Sequence, residues 1–489
     1  MAPPTVRRSY RATYAVLALA VAGFALLQSL VIPVLPTVQA GLHTSQNTVT
    51  WVLTAYLLSA AIFTPIMGRL GDMYGKERLL VLTLIALTLG SLLAAVAGSI
   101  SLMIIARAIQ GIGGGVLPLS FGLIRDEFPT EKVLGAIGVI AALAAAGSGV
   151  GIVLAGPIVN ALDYHWLFWI PMIVMAFGTV AAHYVIPESD VRTPGTLSWS
   201  GVVLLSVWLV AIILAISEAP TWGWGSTRVI ALIVLGLVVA VVWVFVEARS
   251  THPLIDMKMM RIPAVWTTNL VALLLGVGMY AVFAFLPEFL QSPRSAGYGF
   301  ALSITKSGLI LLPASVFMFI FGMMSGRLSQ RYGSKAVLIA GLFVGIANFA
   351  ILTFAHAALW EILLAMVIEG VGFGLAFSSM SALVVVAVPP HQTGVASGMN
   401  ANIRTIGGSV GAAVMSSIVT SGVRPGEIPR QTGYTHGFAL LTVAAVAATI
   451  AAFFVPGRLR PPATTTEATL AHGELGMVAA GTLAGDESE

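Results

Sequence analysis

Gly68-Arg69-Leu70-Gly71-Asp72-Met73-Tyr74-Gly75 decides how the rest of this chain is read. Its Gly-Arg-Leu-x-x-x-Tyr-Gly frame returns 258 residues later as Gly326-Arg327-Leu328-Ser329-Gln330-Arg331-Tyr332-Gly333. A second pair lies at nearly the same spacing: Ile109-Gln110-Gly111-Ile112-Gly113-Gly114-Gly115 is echoed by Ile368-Glu369-Gly370-Val371-Gly372-Phe373-Gly374, 259 residues on. Two independent matches at one offset indicate two related halves. Duplicated membrane proteins place their binding sites where the repeats meet.

Composition makes this a membrane protein. Of 489 residues, 58% are hydrophobic and 9% charged, with a mean hydropathy of +0.96. A soluble domain carries about 25% charge, so little of the chain is left to form one. The absence of cysteine excludes disulfides, thiolate metal sites and cysteine nucleophiles. The eight histidines are scattered, with no pair at the one-turn spacing of a helix-borne metal site, and neither a metal nor another cofactor is expected. The net charge of +4 comes from dispersed residues, which does not suggest a nucleic-acid partner. No Ser/His/Asp, His/Glu or phosphate-loop constellation appears, so enzymatic activity is not expected.

Apolar runs of about 20 residues, enough to cross ~30 Å of hydrocarbon, occur fourteen times. They cover 13–35, 48–68, 78–97, 101–123, 134–157, 166–186, 198–217, 228–247, 265–289, 304–325, 336–355, 359–381, 396–420 and 434–456. With the N-terminus inside, 17 basic residues fall in cytoplasmic segments and five in outer loops. The inner set is Arg7, Arg8, Arg11, Arg69, Lys76, Arg78, Arg125, Lys132, Arg192, Arg249, Lys258, Arg261, Arg327, Arg331, Lys335, Arg458 and Arg460; the outer set is Arg228, Arg294, Lys306, Arg424 and Arg430. The positive-inside rule then puts both termini in the cytoplasm. The first run is too long for the apolar region of a cleaved signal peptide and reads as a retained helix.

The repeat assigns residues 12–186 to one six-helix bundle and 265–456 to the second. Residues 187–264 contribute two inserted spans with cytoplasmic linkers. The tail, 457–489, is rich in Ala, Thr and Gly and reads as disordered.

Gly68 to Arg78 reads as the cytoplasmic turn between the second and third spans. Gly68 and Gly75 let that turn run tight against a neighbouring helix. Asp72 either caps a helix N-terminus or pairs with Arg69 or Arg78, an interaction suited to a gate that opens and closes. The second copy contributes Gly326, Arg327, Arg331 and Gly333 to the same gate, but Gln330 stands where the first has Asp72.

This motif resembles the signature of the major facilitator superfamily, and the likeness extends over 12–456. Arg107-x-x-Gln110-Gly111-x-Gly113 is similar to the superfamily's second motif, and Gly147 to Pro157 resembles the antiporter motif, with Gly147, Gly151, Gly156 and Pro157 as packing positions. Two inserted spans followed by Pro253-Leu254-Ile255-Asp256 resemble the fourteen-helix drug–proton antiporter branch. The resemblance implies an all-α membrane protein of two pseudo-symmetric six-helix bundles plus two inserted helices. It also implies export of drugs or metabolites against entering protons. Ile152 replaces a motif proline and Ala155 a motif glycine. The first span, at Leu26-Leu27-Gln28-Ser29-Leu30, lacks the family's usual acid. Those departures leave the substrate's charge and the coupling residue open.

Glu369 is the one acid near the middle of a span. Holding a carboxylate there costs roughly 2.5–3.5 kcal/mol on insertion scales. It is either a proton or cationic-substrate site, or a neutral acid hydrogen-bonded across helices. Arg107 is the buried cation of the first half. It serves either proton transfer, as the resemblance implies, or as a clamp on carbonyls of the first span. Arg404 either joins the proton path or snorkels towards the cytoplasm. The strings Gly147–Gly151 and Gly407–Gly411 permit close helix packing. Gln28, Gln110, Asn269, Tyr280, Phe283, Phe373 and Asn400 are candidate cavity groups, while Trp166, Trp222, Trp224 and Trp360 suit an interfacial aromatic belt.

The expected protein is thus a monomeric, multi-pass transporter of a bacterial plasma membrane. It exchanges protons for a small hydrophobic substrate. Proton-coupled uptake, or export of one dedicated lipid or metabolite, is the alternative.

Overall fold

The computed structural model describes residues 10–44, 46–189, 196–251, 253–421 and 428–457. Arg7, Arg8, Arg192, Arg424, Arg458, Arg460 and the tail after Gly457 lie outside the described residues. Every regular element among the described residues is helical. Hydrocarbon offers a peptide group no partner, so each spanning segment must satisfy its own.

The first half holds α1 (Tyr10–Leu30), the short α2 (Leu35–Gly41), α3 (Gln46–Tyr74), α4 (Lys76–Ala95), α5 (Ile100–Gly111), α6 (Val116–Glu127), α7 (Thr130–Ala161) and α8 (Trp166–Val185). A 3-10 turn over Ile112–Gly115 joins α5 and α6 into one span. The inserted pair is α9 (Trp199–Trp222) and α10 (Thr227–Arg249), followed by the short α11 (Met257–Met260). The second half holds α12 (Pro263–Gln291), α13 (Ile304–Tyr332), α14 (Ser334–Phe354), α15 (Leu359–Ala387), α16 (Thr393–Val419) and α17 (Gln431–Phe453).

Thirteen of these helices are long and apolar enough to cross a membrane. The run expected over 396–420 is α16, a continuous helix of 27 residues that falls outside that set. Asn400, Asn402, Arg404 and a row of Gly and Ser dilute its hydropathy, and most of those side chains are buried. A helix walled by protein can be more polar than one facing lipid.

The gate motif is not a turn, which corrects the sequence reading. α3 continues helical through Tyr74, so Gly68 to Tyr74 form its last two turns, and α13 likewise runs to Tyr332. Only the final glycine of each copy breaks the helix, Gly75 at φ +118° and Gly333 at φ +86°. That backbone region strains any residue with a Cβ, which is why both copies end in glycine.

The repeat sets the packing. α3 corresponds to α13 and α7 to α16, and the halves meet along two seams, α3 on α16 and α7 on α13. One face of the molecule carries Gly75, Gly333 and the start of α1; it is called the motif face here, and its opposite the far face. α9 packs on both α3 and α16, while α10 packs chiefly on α9. The inserted pair therefore covers one seam only. Its contact is apolar, with Leu205, Leu209 and Trp243 in one cluster with Ala61, Val395 and Met399.

Within each half, glycines bring helices to backbone distance. A Cβ on Gly407 would lie 1.9 Å from Leu273 O, and one on Gly411 would lie 2.3 Å from Val277 O. Gly345, by contrast, faces open space. Gly407→Ala should therefore destabilise the solubilised protein by about 1–3 kcal/mol, as overpacking does, whereas Gly345→Ala should stay within ~0.5 kcal/mol of the parent. Thermal unfolding of the two variants side by side checks this.

Candidate functional site

Buried polar groups gather along the seams between the halves. Arg107 on α5 is fully buried, with Nε donating to Val52 O at 3.0 Å and Nη1 to Gln110 Oε1 at 2.8 Å. Its guanidinium lies 4.4 Å from the centre of the Tyr56 ring. Val52 and Tyr56 belong to α3, so the arginine clamps the second span rather than the first. Gln110 Nε2 donates onward to Ser91 Oγ at 3.2 Å, which turns this candidate cavity residue into the bundle of the first half.

From the second half, Arg404 is 8% exposed and stacks 4.4 Å over the Phe377 ring. That depth excludes snorkelling to the motif face. Tyr280 on α12 lies within electrostatic reach of both Tyr56 and Arg404, so the four groups form a file across the seam. Asn400 Nδ2 donates to Asn269 Oδ1 at 2.8 Å, and Asn402 Nδ2 to Ala61 O at 2.5 Å. A small cavity of ≈ 10 Å³ adjoins Arg404, Asn400, Ser397 and Phe377, with Leu117 and Phe121 of the first half opposite. Gln28 and Phe283 are half-buried. A larger groove of ≈ 800 Å³ opens at the motif face between α1, α7 and α13, away from this file.

Glu369 lies elsewhere. Contacts of Gly341 and Gly345 with Gly372 set the register of α14 on α15. One turn towards the far face, that register brings Asn348 opposite Glu369. Both side chains are fully buried, and neither carboxylate oxygen nor either amide atom has a protein partner. Gly90 and Gln110 hold the matching places in the first half, where a Cβ on Gly90 would meet Gln110 Cγ at 2.7 Å. The offset of 258 from Gly90 was the signal that could have found Asn348. Phe373 lines a small apolar cavity of ≈ 20 Å³ beside this pair, with Phe349, Gly345 and Leu275. About 10–15 Å³ suffices for one water.

At the motif face the two halves are closed on each other. Gly68 and Gly394 touch backbone to backbone, with Gly394 O 2.5 Å from where a Gly68 Cβ would stand. Asp72 sits against the first turn of α16, at Gly394 and Val395. There its charge meets the positive end of the helix dipole. Its ionic partner is Lys76 at 3.5 Å, not Arg69 or Arg78. Lys76 is itself buried and pairs at 2.7 Å with Asp126, and Arg78 pairs at 3.1 Å with Glu188. Arg125 reaches from α6 to Val385 O and, at 2.8 Å, to Thr393 Oγ1. On the second seam, Gln330 Nε2 donates to Glu131 O at 2.8 Å, and Gly326 abuts Gly135. Arg327 and Arg331 are exposed. Burial, then the nearby cations Arg69, Lys76 and Arg125, hold His391 below the usual imidazole value, which favours its neutral form.

The antiporter-motif glycines wedge α7 between two helices. Gly147 and Gly151 face Ala25 and Ser29 of α1, whereas Gly149 and Gly156 face Ser315 and Thr305 of α13. Pro157 is carried inside α7 without ending it.

The sequence profile described as Major Facilitator Superfamily matches residues 17–412. The chain belongs to that superfamily. Among its transporter relatives is a multidrug resistance protein B homolog of Mycobacterium tuberculosis, 28% identical over 87% of this chain and 85% of the relative. Multidrug resistance protein 3 of Bacillus subtilis is 29% identical over 76% and 72%. The tetracenomycin C resistance and export protein of Streptomyces glaucescens is 26% identical over 79% and 72%. The solved human organic anion transporter MFSD10 (TETRAN) shares the fold, at a TM-score of 0.66 and 16% identity, covering 90% of this chain and 99% of that one.

Asp72→Asn keeps the shape of this facilitator's closed face but removes the charge at the start of α16. It should weaken closure by ~0.3–1 kcal/mol, towards 2 in a buried setting. Cysteines placed at Glu131 and Gln330, in a chain with none of its own, should be joined by a short bis-maleimide. Asp72→Asn should reduce the rate of that cross-linking.

Proposed function

We propose that the protein exports hydrophobic small molecules from a bacterial cytoplasm in exchange for protons, by rocking its two bundles (12–186 and 265–456) about the seams. The motif face is cytoplasmic in this reading, as the basic residues there require. The relatives' roles, drug resistance and tetracenomycin C export, support outward transport of small molecules.

One observation carries proton coupling: Glu369 is a fully buried carboxyl with no protein partner. A charged carboxylate in that place is costly, whereas a protonated one carries no charge to desolvate. Each conformation then needs the acid in a particular protonation state, and that is the requirement for coupling. Arg107 and Arg404, strung along the seam, bias the path of the proton by repulsion and by their hold on α3 and α15. The gate set Gly68, Arg69, Asp72, Gly75 and Arg78, with its second copy, locks the cytoplasmic side while the other side is open. An inward proton gradient supplies ~2.3 kcal/mol per charge per 100 mV of membrane potential, before any pH difference.

Purified protein in liposomes with an imposed pH gradient tests the reading. Glu369→Gln should abolish gradient-driven flux while leaving the thermal unfolding midpoint close to that of the parent. Proton movement in that variant equal to the parent's would remove Glu369 from the coupling step.

A further inference from the structure

Beside the Ser397 hydroxyl and the Asp72 carboxylate, the buried polar atoms without hydrogen-bond partners along the α3–α16 seam include three side-chain nitrogens. Arg107 Nη2, Arg404 Nε and Asn269 Nδ2 are all buried donors with no acceptor. Among the described residues no carboxylate pairs with either guanidinium; Arg107 has the Tyr56 ring beside it, and Tyr280 is the neighbour of Arg404. The nearest acid by depth, Glu369, is turned to α14 by the packing register. The first span offers Gln28 and Ser29 but no acid. Two cations held away from water without a counter-charge are an unfavourable arrangement unless a ligand completes it.

The geometry points to a substrate that is an organic anion, an amphipathic acid whose carboxylate or enolate meets Arg404 and Arg107 and whose flat apolar body lies along the seam. This inference rests on the transporter reading above and names its substrate class. The cavity beside Arg404 has the chemistry for it. Phe377 and Phe121 supply aromatic walls from opposite halves, and Ser381, Ser397 and Asn400 add neutral polar groups. An arginine stacked on an aromatic ring keeps its edge free for a bidentate acceptor, which is how guanidinium recognises carboxylates. A cationic drug would meet two like charges and three unpaired donors there.

Two dyes with one xanthene core separate the possibilities. Fluorescence polarisation of carboxyfluorescein, and of a cationic rhodamine, is measured with the full-length protein in nanodiscs of neutral phosphatidylcholine, without any proton gradient. We expect the anionic dye to bind roughly 10–100-fold more tightly than the cationic one, the range of one or two charged hydrogen bonds. Arg404→Gln should remove that preference, and Arg404→Lys should restore part of it. The comparison in the unmodified protein needs no variant to fold. Equal affinity for both dyes, preference for the cation, or no binding of the anion would overturn the assignment. Anion-selective binding combined with no gradient-driven flux in liposomes would instead defeat proton exchange and leave the substrate class standing.

Discussion

A peptide group without a hydrogen bond in hydrocarbon costs several kcal/mol, and this constraint shapes nearly every contact in the protein. It forces each spanning segment into a helix and leaves helix association to close packing rather than to water exclusion. Glycine is the means. Gly68 meets Gly394 across one seam and Gly326 meets Gly135 across the other, while Gly276 and Gly407 seat α12 on α16 within a half. Backbones in contact leave no room for water or ions to leak, and they can part as rigid units because few long side chains interlock between them.

Duplication gives the two seams equal helices but not equal surroundings. α9 lies over α3 and α16 and buries Leu205 and Leu209 against them, whereas α7 and α13 have no such cover. The carboxylates are also unequal. Lys76 binds Asp72 and Asp126 at the first copy of the gate motif, and the second copy has an amide, Gln330, reaching a carbonyl instead. One seam is thus joined at the motif face by charged groups and the other by a neutral hydrogen bond. Only the first depends on a helix dipole.

Buried charge is treated in two ways within the same chain. At the motif face the ions are paired: buried Lys76 has two acids, and exposed Arg78 has Glu188. Deeper in, Arg107 and Arg404 have rings and carbonyls but no acid, and Glu369 has no cation. The paired set holds a conformation. In the proposed mechanism the unpaired set takes what arrives and leaves, a proton at Glu369 and a substrate at the two arginines.

The sequence by itself determined the duplication, the helical spans, and the residues that would be buried charges, because offset, apolar length and ion placement are local properties of the string. It located Glu369 and both arginines for the same reason. It misread Gly68 to Tyr74 as a turn, since a helix end of charged and small residues looks like a loop until Gly394 is packed against it. It offered Asp72 a helix N-terminus, which holds at the start of α16, but named Arg69 or Arg78 as its ionic partner when Lys76 stood one turn away. Only the tertiary structure decided that Arg125 ties α6 to the start of α16, that Gln110 and Phe373 turn into their own bundles, and that Asn348 faces Glu369. Those pairings depend on the register between helices far apart in the chain, which is fixed by how closely glycine lets two backbones approach and is not written in either helix alone.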